Sequence, residues 1–221
     1  MKYRIFHHPL SLTTVSLSAV AVAATILLSG PSAPGAPPNV IKVGQHAPDF
    51  TLQDVTGKSV TLSQFKGKIV VLEWFNPECP FVKLAHSRDL SLKESARKHK
   101  KNGVVWLAVN SNGPGEQGHG PSLNEKGKAQ LKMDYPILLD PTGKVGKLYG
   151  AVRTPELFVI DEKGVLTYRG AIDNTQGGDP SDAEPPPAKN YVDEVLNALY
   201  KKQPPPIQET TPWGCTVKYA K

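Results

Sequence analysis

One run of residues constrains the fold of this chain more than any other: "KIVVLEWF" (68–75), which is apolar at almost every position except one glutamate. A strand with one buried face alternates apolar and polar residues, whereas a near-continuous apolar run is typical of a strand covered on both faces. Such strands lie at the centre of sheets that have helices on either side. The run therefore predicts an α/β domain built on a central sheet.

The segments around this run alternate between strand and helix patterns. The predicted strands are 49–54, 59–65, 104–110, 135–140, 156–161 and 165–170. The predicted helices are 80–101, 122–133, 142–149 and 188–202. The first two strands and the last two are each separated by a short turn, so each pair predicts a hairpin. This order predicts a mixed central β-sheet flanked by helices, with an N-terminal β-hairpin extension. The segments 111–122 and 173–188 are expected to be loops.

The first 36 residues have the composition of a targeting segment. Lys2 and Arg4 are their only charges, an uncharged and largely apolar stretch follows, and small residues close the segment. We expect residues 1–36 to be a signal peptide that is cleaved after Ala33 or Ala36. An uncleaved membrane anchor is the alternative, because the charge-free stretch is about long enough to span a bilayer. Both interpretations place the rest of the chain outside the cytoplasm, for example in the periplasm, where disulfides persist.

The remaining boundaries follow from composition. Residues 30–46 form a segment rich in proline, glycine and alanine, of which 37–46, beyond the predicted signal peptide, are expected to be a linker. The alternating strands and helices make residues 47–202 one domain. Residues 203–221 form a proline-rich tail that carries Cys215, one of only two cysteines in the chain.

Charge gives little sign of a nucleic-acid partner. The formal net charge is +6, but the charges are interspersed rather than clustered. The densest basic run, "ARKHKK" (96–101), closes a predicted helix, where solvated cations complement the helix dipole. Nucleic-acid surfaces are longer and include aromatic residues. Because no phosphate-binding glycine loop or zinc-ligand spacing is present either, no cofactor is expected.

Cys79 has the setting of a reactive thiol. It follows the central predicted strand in "NPECPFVK" (76–83), and Pro80 begins a predicted helix. The free N–H groups and the dipole at a helix N-terminus stabilise a thiolate, which is the nucleophile of thiol–disulfide exchange. The alternative is a buried structural cysteine. The position between strand and helix favours the reactive interpretation.

The motifs resemble a known superfamily when they are taken together. The segment "DFTLQDVTGKSVTLSQFKGKIVVLEWF" is similar to the start of the alkyl hydroperoxide reductase/thiol-specific antioxidant branch of the thioredoxin-like superfamily. The set "NPECPFVK", "YRGAIDN" and "GCTVKY" resembles a peroxiredoxin-like subgroup of exported redoxins. The resemblance covers residues 44–170 and extends to the tail. It implies the thioredoxin fold and a redox function.

The resemblance also implies roles for residues near Cys79. Thioredoxin sites carry a second cysteine three positions on, where this chain has Val82. Peroxiredoxin sites carry a hydroxyl three positions before the cysteine, where Asn76 is the available hydrogen-bond donor. Glu73 occupies the place of a buried acid that exchanges a proton with the sulfur. Each assignment has a purely structural alternative, such as a Glu73 that pairs with a lysine.

A second group of site residues lies before the predicted strand at 156–161. In this superfamily a proline at the place of Pro155 is cis and packs against the active cysteine, and the backbone before it pairs with a substrate peptide. The resemblance therefore assigns Thr154 and Pro155 to substrate binding. Arg153 is expected to stabilise the thiolate or hold a substrate, unless it is an ordinary surface arginine.

Cys215 lies in "TTPWGCTVKY", beyond a proline-rich spacer. Because Val82 removes the local partner of Cys79, a resolving thiol has to come from elsewhere in the chain. The extended tail is long enough to reach the site. We therefore expect a Cys79–Cys215 disulfide in the oxidised protein, with a free or intermolecular Cys215 as the alternative.

Three functions remain open. The first is an exported thiol–disulfide oxidoreductase that acts on protein thiols or disulfides and is served by a thiol reductant. The second is a peroxiredoxin-like peroxide reductase, and the third is a non-catalytic module that binds peptides beside Pro155. A metal site is disfavoured, because the chain has no two closely spaced cysteines to join His86 or His119 as metal ligands. A membrane partner is expected only if the N-terminal segment is uncleaved.

Overall fold

The computed structural model describes Met1 and residues 40–87, 92–175 and 189–221. Contacts divide the chain into two units, Met1–Gly35 and Ala36–Lys221, and the following description is of the second. The predicted signal peptide lies outside the described residues except for Met1, as does most of the predicted loop 173–188. Among the helices that are described, none combines the length and the apolar character needed to span a membrane.

The described chain contains strands, α-helices and one 3-10 helix (Leu62–Phe65). The strands are β1 (Thr51–Asp54), β2 (Ser59–Thr61), β3 (Val70–Trp74), β4 (Val105–Asn110), β5 (Ile137–Leu139), β6 (Arg153–Thr154), β7 (Glu156–Ile160), β8 (Leu166–Gly170) and β9 (Cys215–Thr216). The helices are α1 (Pro80–Ser87), α2 (Leu92–Lys100), α3 (Pro121–Gln130), α4 (Lys144–Tyr149) and α5 (Tyr191–Tyr200).

Seven strands form the central sheet in the order β2-β1-β5-β4-β3-β7-β8. The pairs β3–β4 and β4–β5 are parallel, and the other pairs are antiparallel. The predicted mixed sheet and both predicted hairpins are therefore confirmed. All five residues of β3 are buried, because β3 pairs on both edges and is covered on both faces. This explains the apolar run that dominates the sequence.

Alternation along β3 divides its side chains between two apolar clusters. Val71 faces the side covered by α1, α2 and α5, and Leu72 faces the side covered by α4 and the N-terminal hairpin. Glu73 has the same parity as Val71, so it projects toward the α1 side. The carboxyl end of β3 leads directly to Cys79, which is how the sheet positions the site.

The structure differs from the sequence prediction in several places. The predicted strand 59–65 ends at Thr61, and Leu62–Phe65 form a 3-10 helix instead. The segment 80–101, predicted as one helix, contains α1 and α2, with residues 88–91 outside the described part. The expected linker 37–46 packs on the domain at Ile41, which is buried and whose N–H donates to the Leu148 carbonyl (3.2 Å). The tail is not merely a spacer, since β9 pairs with β6 in a second, two-stranded sheet.

Candidate functional site: two cysteines and a cis-proline loop

Cys79 lies between β3 and α1 and its side chain is completely buried. The Cys79 carbonyl accepts a hydrogen bond from the Lys83 N–H (3.1 Å), so the residue closes the first turn of α1. Pro80 occupies the first helical position, where its missing N–H leaves no donor unpaired. The sulfur therefore lies at the positive end of the helix dipole, as the sequence predicted.

The tail brings the second cysteine to this sulfur. The Sγ atoms of Cys79 and Cys215 are 2.7 Å apart, and both thiols are free. Burial raises the pKa of Cys215 to about 11, and its hydrogen bond with Cys79 adds to the shift. Cys215 is therefore protonated at neutral pH, and in this contact the Cys79 thiol donates to the Cys215 sulfur. The two residues are 136 positions apart in the chain, so this contact depends on the whole fold.

The loop that contains Pro155 forms another side of the site. The Thr154–Pro155 peptide bond is cis, which confirms the prediction. The Thr154 carbonyl oxygen lies 3.2 Å from the Cys79 Sγ, within donating distance of its thiol. Thr154 also pairs with Cys215 in the β6–β9 ladder. Cys79, Cys215 and this loop therefore form one cluster.

Arg153 takes part in the loop through both its backbone and its side chain. Its backbone pairs with Thr216, and its guanidinium donates to the Val152 carbonyl (3.3 Å). Glu156 also holds the loop in place. Its carboxylate accepts hydrogen bonds from the backbone N–H groups of Val152 (2.7 Å) and Arg153 (3.1 Å). Burial raises the pKa of Glu156, against the opposing effect of these hydrogen bonds. The sequence analysis did not identify Glu156, although an acid at the start of an otherwise apolar strand was a visible signal.

Glu73 is fully buried, as predicted, and it is held by three donors. Its carboxylate oxygens lie 2.8 Å from His86 Nε2, 2.7 Å from the Tyr135 hydroxyl and 3.3 Å from Trp106 Nε1. Burial, together with the neighbouring Glu73 carboxylate, raises the pKa of Tyr135 well above its usual range. Within the described part of the chain, the hydrogen bonds of Glu73 run to these partners and not to Cys79.

Asn76 is also buried, and its side-chain oxygen accepts the Glu78 N–H (2.9 Å). Its Nδ2 group has no hydrogen-bond partner in the described residues. The loop after β4 covers this side chain: the Glu78 carboxylate accepts the Gly118 N–H (2.6 Å), and a Cβ on Gly118 would collide with the Asn76 amide. The structure thus places a free amide donor in the turn that leads to Cys79.

The two histidines considered for a metal site lie apart from the cysteine pair. His86 is buried against Glu73, and its Nδ1 has no partner in the described residues. His119 Nδ1 is 2.9 Å from the Asn112 carbonyl oxygen, in the loop after β4. Over residues 40–87, 92–175 and 189–221, no group of three acidic, histidine or cysteine side chains is arranged to hold a metal ion.

The tail is anchored on both sides of Cys215, and the bulky Trp213 was a visible signal of the anchor before it. Trp213 and Val217 are buried in the two apolar clusters on opposite faces of the sheet. Tyr219 donates to the Ala151 carbonyl (2.7 Å) and lies against Gly143 and Gly146, where a Cβ would collide with its ring. The signal was present in "WGCTVKY", because alternate residues of this segment are large or sulfur-bearing.

Comparisons with curated proteins give two kinds of redox relative. Over 125 residues the chain is 34% identical to the thiol-disulfide oxidoreductase ResA of Geobacillus thermodenitrificans, with 56% of this chain and 66% of that protein covered. Over 137 residues it is 30% identical to the chloroplastic peroxiredoxin Q of Suaeda salsa, with 57% and 58% covered. The chain therefore spans between 58% and 66% of these relatives' own length.

Solved structures extend the likeness to most of the domain. An uncharacterized conserved protein from Geobacillus kaustophilus superposes with a TM-score of 0.70 at 29% identity, covering 82% of this chain and 94% of the other. A putative thiol:disulfide interchange protein DsbE from Chlorobium tepidum superposes with a TM-score of 0.50 at 27% identity, covering 58% and 84%. These likenesses, together with the mixed sheet and its flanking helices, confirm the predicted thioredoxin fold.

A family model covers most of the domain. The AhpC/TSA family model matches residues 43–169, which is more than half of the chain and includes Cys79, Glu73 and the cis-proline loop. The family resemblance expected from the sequence motifs is thereby confirmed. The chain belongs to the AhpC/TSA family.

Proposed function

We propose that this chain is a thiol-dependent oxidoreductase in which Cys79 is the nucleophile and Cys215 is the resolving thiol. The observation that carries the proposal is the 2.7 Å separation of the two sulfurs at the N-terminus of α1. The raised pKa of Cys215 divides the roles, because Cys215 stays protonated at neutral pH and the nucleophilic role falls to Cys79, which lies immediately before α1.

The reaction with a disulfide substrate follows from this division. The Cys79 thiolate attacks one sulfur of the substrate, forms a mixed disulfide and releases the other sulfur as a thiolate. Cys215 then loses its proton and attacks the Cys79 sulfur, which closes the Cys79–Cys215 disulfide and releases the second substrate thiol. Two electrons pass from the cysteines to the substrate, and an external dithiol restores them. The reverse sequence oxidises a substrate dithiol.

Peroxide reduction is the second candidate, and Asn76 is the observation that favours it. Its amide Nδ2 is buried three residues before Cys79 and has no hydrogen-bond partner among the described residues, so a peroxide oxygen admitted to this turn would supply one. In this reaction the Cys79 thiolate attacks one oxygen of the peroxide and becomes a sulfenic acid. The other oxygen leaves and, after protonation, is released as an alcohol or water. Cys215 then attacks the sulfenic acid, which gives the same disulfide and one water. The peroxiredoxin Q relative agrees with this alternative.

Peptide mapping without reduction tests the shared step. After mild oxidation we expect a peptide pair linked through Cys79 and Cys215, and an intact mass lower by two hydrogens. Neither the linked peptides nor the mass decrease should occur in Cys215→Ser. Two free thiols, or a dimer linked through Cys79, would refute the resolving role. Peroxide consumption under single turnover then separates the two substrates, with Asn76→Ala expected to slow peroxide reduction alone. If Cys79 is inert to both substrates, the remaining interpretation is a non-catalytic module that binds peptides.

Glu73 is proposed to exchange a proton with the Cys79 sulfur indirectly. Because its hydrogen bonds run to His86, Tyr135 and Trp106, any proton exchange with the sulfur needs an intervening carrier such as water. Glu73→Gln keeps the shape of the side chain, so we expect slower exchange and an altered pH–rate profile in a folded protein. An unchanged rate and profile would show that Glu73 is structural only.

Export is proposed from composition alone. The charge pattern and the small residues of the N-terminal segment support a cleaved signal peptide. We expect the mature chain to begin between Ala33 and Pro38, as determined by N-terminal sequencing of the protein recovered from its host compartment. Retention of Met1 in an exported protein would instead favour an anchor.

A further inference from the structure

The turn between β3 and α1, residues 76–78, determines where the Cys79 sulfur lies. Two of its three residues, Asn76 and Pro77, are buried. The Cys79 N–H donates to the Asn76 carbonyl (3.1 Å), which closes the turn. Because a turn has no ladder of hydrogen bonds to a neighbouring strand, its position on the domain depends on what packs against it. One segment, residues 118–127, contacts all three residues of this turn.

Gly118, near the end of the loop after β4, contacts the first and the last residue of the turn. Its N–H donates to the Glu78 carboxylate (2.6 Å). A Cβ at this position would overlap the Asn76 amide, so the backbone of the loop lies directly against that side chain. Both ends of the turn are therefore held by one residue that has no side chain.

Gly127 contacts the middle residue of the turn from within α3. A Cβ on Gly127 would collide with the Pro77 Cβ. Glycine is unfavourable in the interior of a helix, where alanine is the best residue, and Gly127 is not among the glycines with positive φ. The close approach of α3 to Pro77 is therefore the structural reason for a glycine at this position.

Asn124 on α3 fixes the 118–127 segment itself. It is fully buried, and its Nδ2 donates to the carbonyls of Gly118 (3.0 Å) and Gly120 (2.7 Å). Its Oδ1 accepts from the Asn110 amide (2.7 Å), which also donates to the Gly118 carbonyl (2.9 Å). Asn110 ends β4, the strand that pairs with β3. The segment is therefore anchored to the same sheet that carries the turn.

We propose that the 118–127 segment sets the position of the Cys79 sulfur relative to Cys215, with Gly118, Asn124 and Gly127 as its positioning residues. The proposal rests on the proposed function, since it concerns closure of the Cys79–Cys215 disulfide. The two sulfurs are already 2.7 Å apart while both thiols are free. A disulfide forms only within a narrow range of geometries, so the turn has to hold Cys79 at the right place for the bond to close.

A double-mutant cycle between Gly127 and Pro77 tests the contact. Gly127→Ala is made in the parent protein and in Pro77→Gly, which removes the Cβ that the new methyl group would meet. The equilibrium constant for the Cys79–Cys215 disulfide is measured in mixtures of glutathione and glutathione disulfide. In this reaction two electrons pass from the cysteine pair to glutathione disulfide, which is released as two glutathione thiols. Lys126→Ala, at an exposed position of α3, is the control.

We expect Gly127→Ala to lower this equilibrium constant at least about ten-fold in the parent, because a misplacement of about 1 Å is enough to disrupt a reacting geometry. In Pro77→Gly the same substitution should change it less than about two-fold, and Lys126→Ala should match the parent. A general loss of stability would not distinguish the two backgrounds in this way. A ten-fold loss in both backgrounds, or in neither, would overturn the proposal.

Glu78 gives a second test that does not depend on the folding of Gly127→Ala. Glu78 is exposed, so Glu78→Ala removes its contact with Gly118 without emptying the core. We expect the equilibrium constant to fall at least about three-fold, and Glu78→Gln, which keeps an acceptor for the Gly118 N–H, to recover most of this loss. Equal losses in the two variants would assign the effect to the charge of Glu78 and refute the role of the contact. A parent protein that forms no Cys79–Cys215 disulfide would instead refute the proposed function.

Discussion

At the scale of single residues, the buried Glu73 carboxylate depends on donors from distant parts of the chain. Trp106 is on β4 and Tyr135 precedes β5, so their distances to the carboxylate depend on how the strands pack.

Tyr135→Phe removes one of the three donors to Glu73 while keeping the ring. Because a buried carboxylate oxygen loses a hydrogen bond, we expect the free energy of unfolding to fall by about 1–3 kcal/mol. Urea denaturation at neutral pH measures this change. Tyr191→Phe, at a half-buried position, is the control and should have little effect. Equal losses in the two variants would mean that the Tyr135 hydroxyl contributes nothing specific.

The position of Cys79, the cis Pro155 and the burial of Glu73 were predictable from the sequence, because each depends on its neighbours in the chain or on a family motif. The donors to Glu73 were not predictable, because they lie on distant segments that only the packing of the strands brings together.

Glu156 predicts a pH dependence. Its pKa in the folded protein is raised above the ordinary 4.5, so its contribution to stability is fully present below pH 4.5 and is lost as the pH rises through the raised value. Glu156→Gln removes this titration and should flatten the corresponding part of the curve of unfolding free energy against pH. Parallel curves for the variant and the parent would contradict the assignment.

At the scale of elements, local patterns predicted the hairpins, β3 and α5, but not contacts between distant elements. The run "ARKHKK" was expected to be a solvated helix end, yet His99 within it is fully buried. Its Nε2 lies 2.8 Å from Asp193 on α5, which also accepts from Lys98 and Ser95. The pairing of β6 with β9 was missed for the same reason, since each strand has only two residues and they are distant in the chain.

Asp193→Asn should loosen α5 from α2. Burial opposes ionisation of Asp193, but the hydrogen bonds from His99, Lys98 and Ser95 outweigh it and lower its pKa. The ionised form therefore stabilises the fold above pH 3.8, and this contribution is lost as the pH falls below that value. We expect a loss of about 1–3 kcal/mol at pH 7 that shrinks on acidification. A loss independent of pH would indicate that the charge is not involved.

At the scale of the whole molecule, the tail connects the two faces of the sheet. Trp213 belongs to one apolar cluster and Val217 to the other, and the Lys218 N–H donates to Asn112 (3.0 Å) in the loop after β4. With both thiols free, the tail is seated all the same. Its position therefore depends on side-chain packing as well as on the sulfur contact.

Hydrogen exchange measures how much of the tail's protection depends on the sulfur contact and how much on side-chain packing. In Cys215→Ser we expect peptides that cover residues 211–219 to keep most of their protection, because the anchors on both sides remain. Trp213→Ala should lose more protection over the same peptides, since it empties a buried site. If Cys215→Ser exchanged as fast as Trp213→Ala, the sulfur contact would be the main anchor after all.

The order of synthesis gives the late position of β9 a further consequence. Cys79 and Cys215 are 136 residues apart. At 5–20 residues per second, a ribosome needs roughly 7–27 s to pass from one to the other. During that interval the first cysteine exists without the segment that will cover it. A reactive molecule that meets the growing chain in that time reacts with Cys79 without competition from the tail, which is present in every later state of the protein.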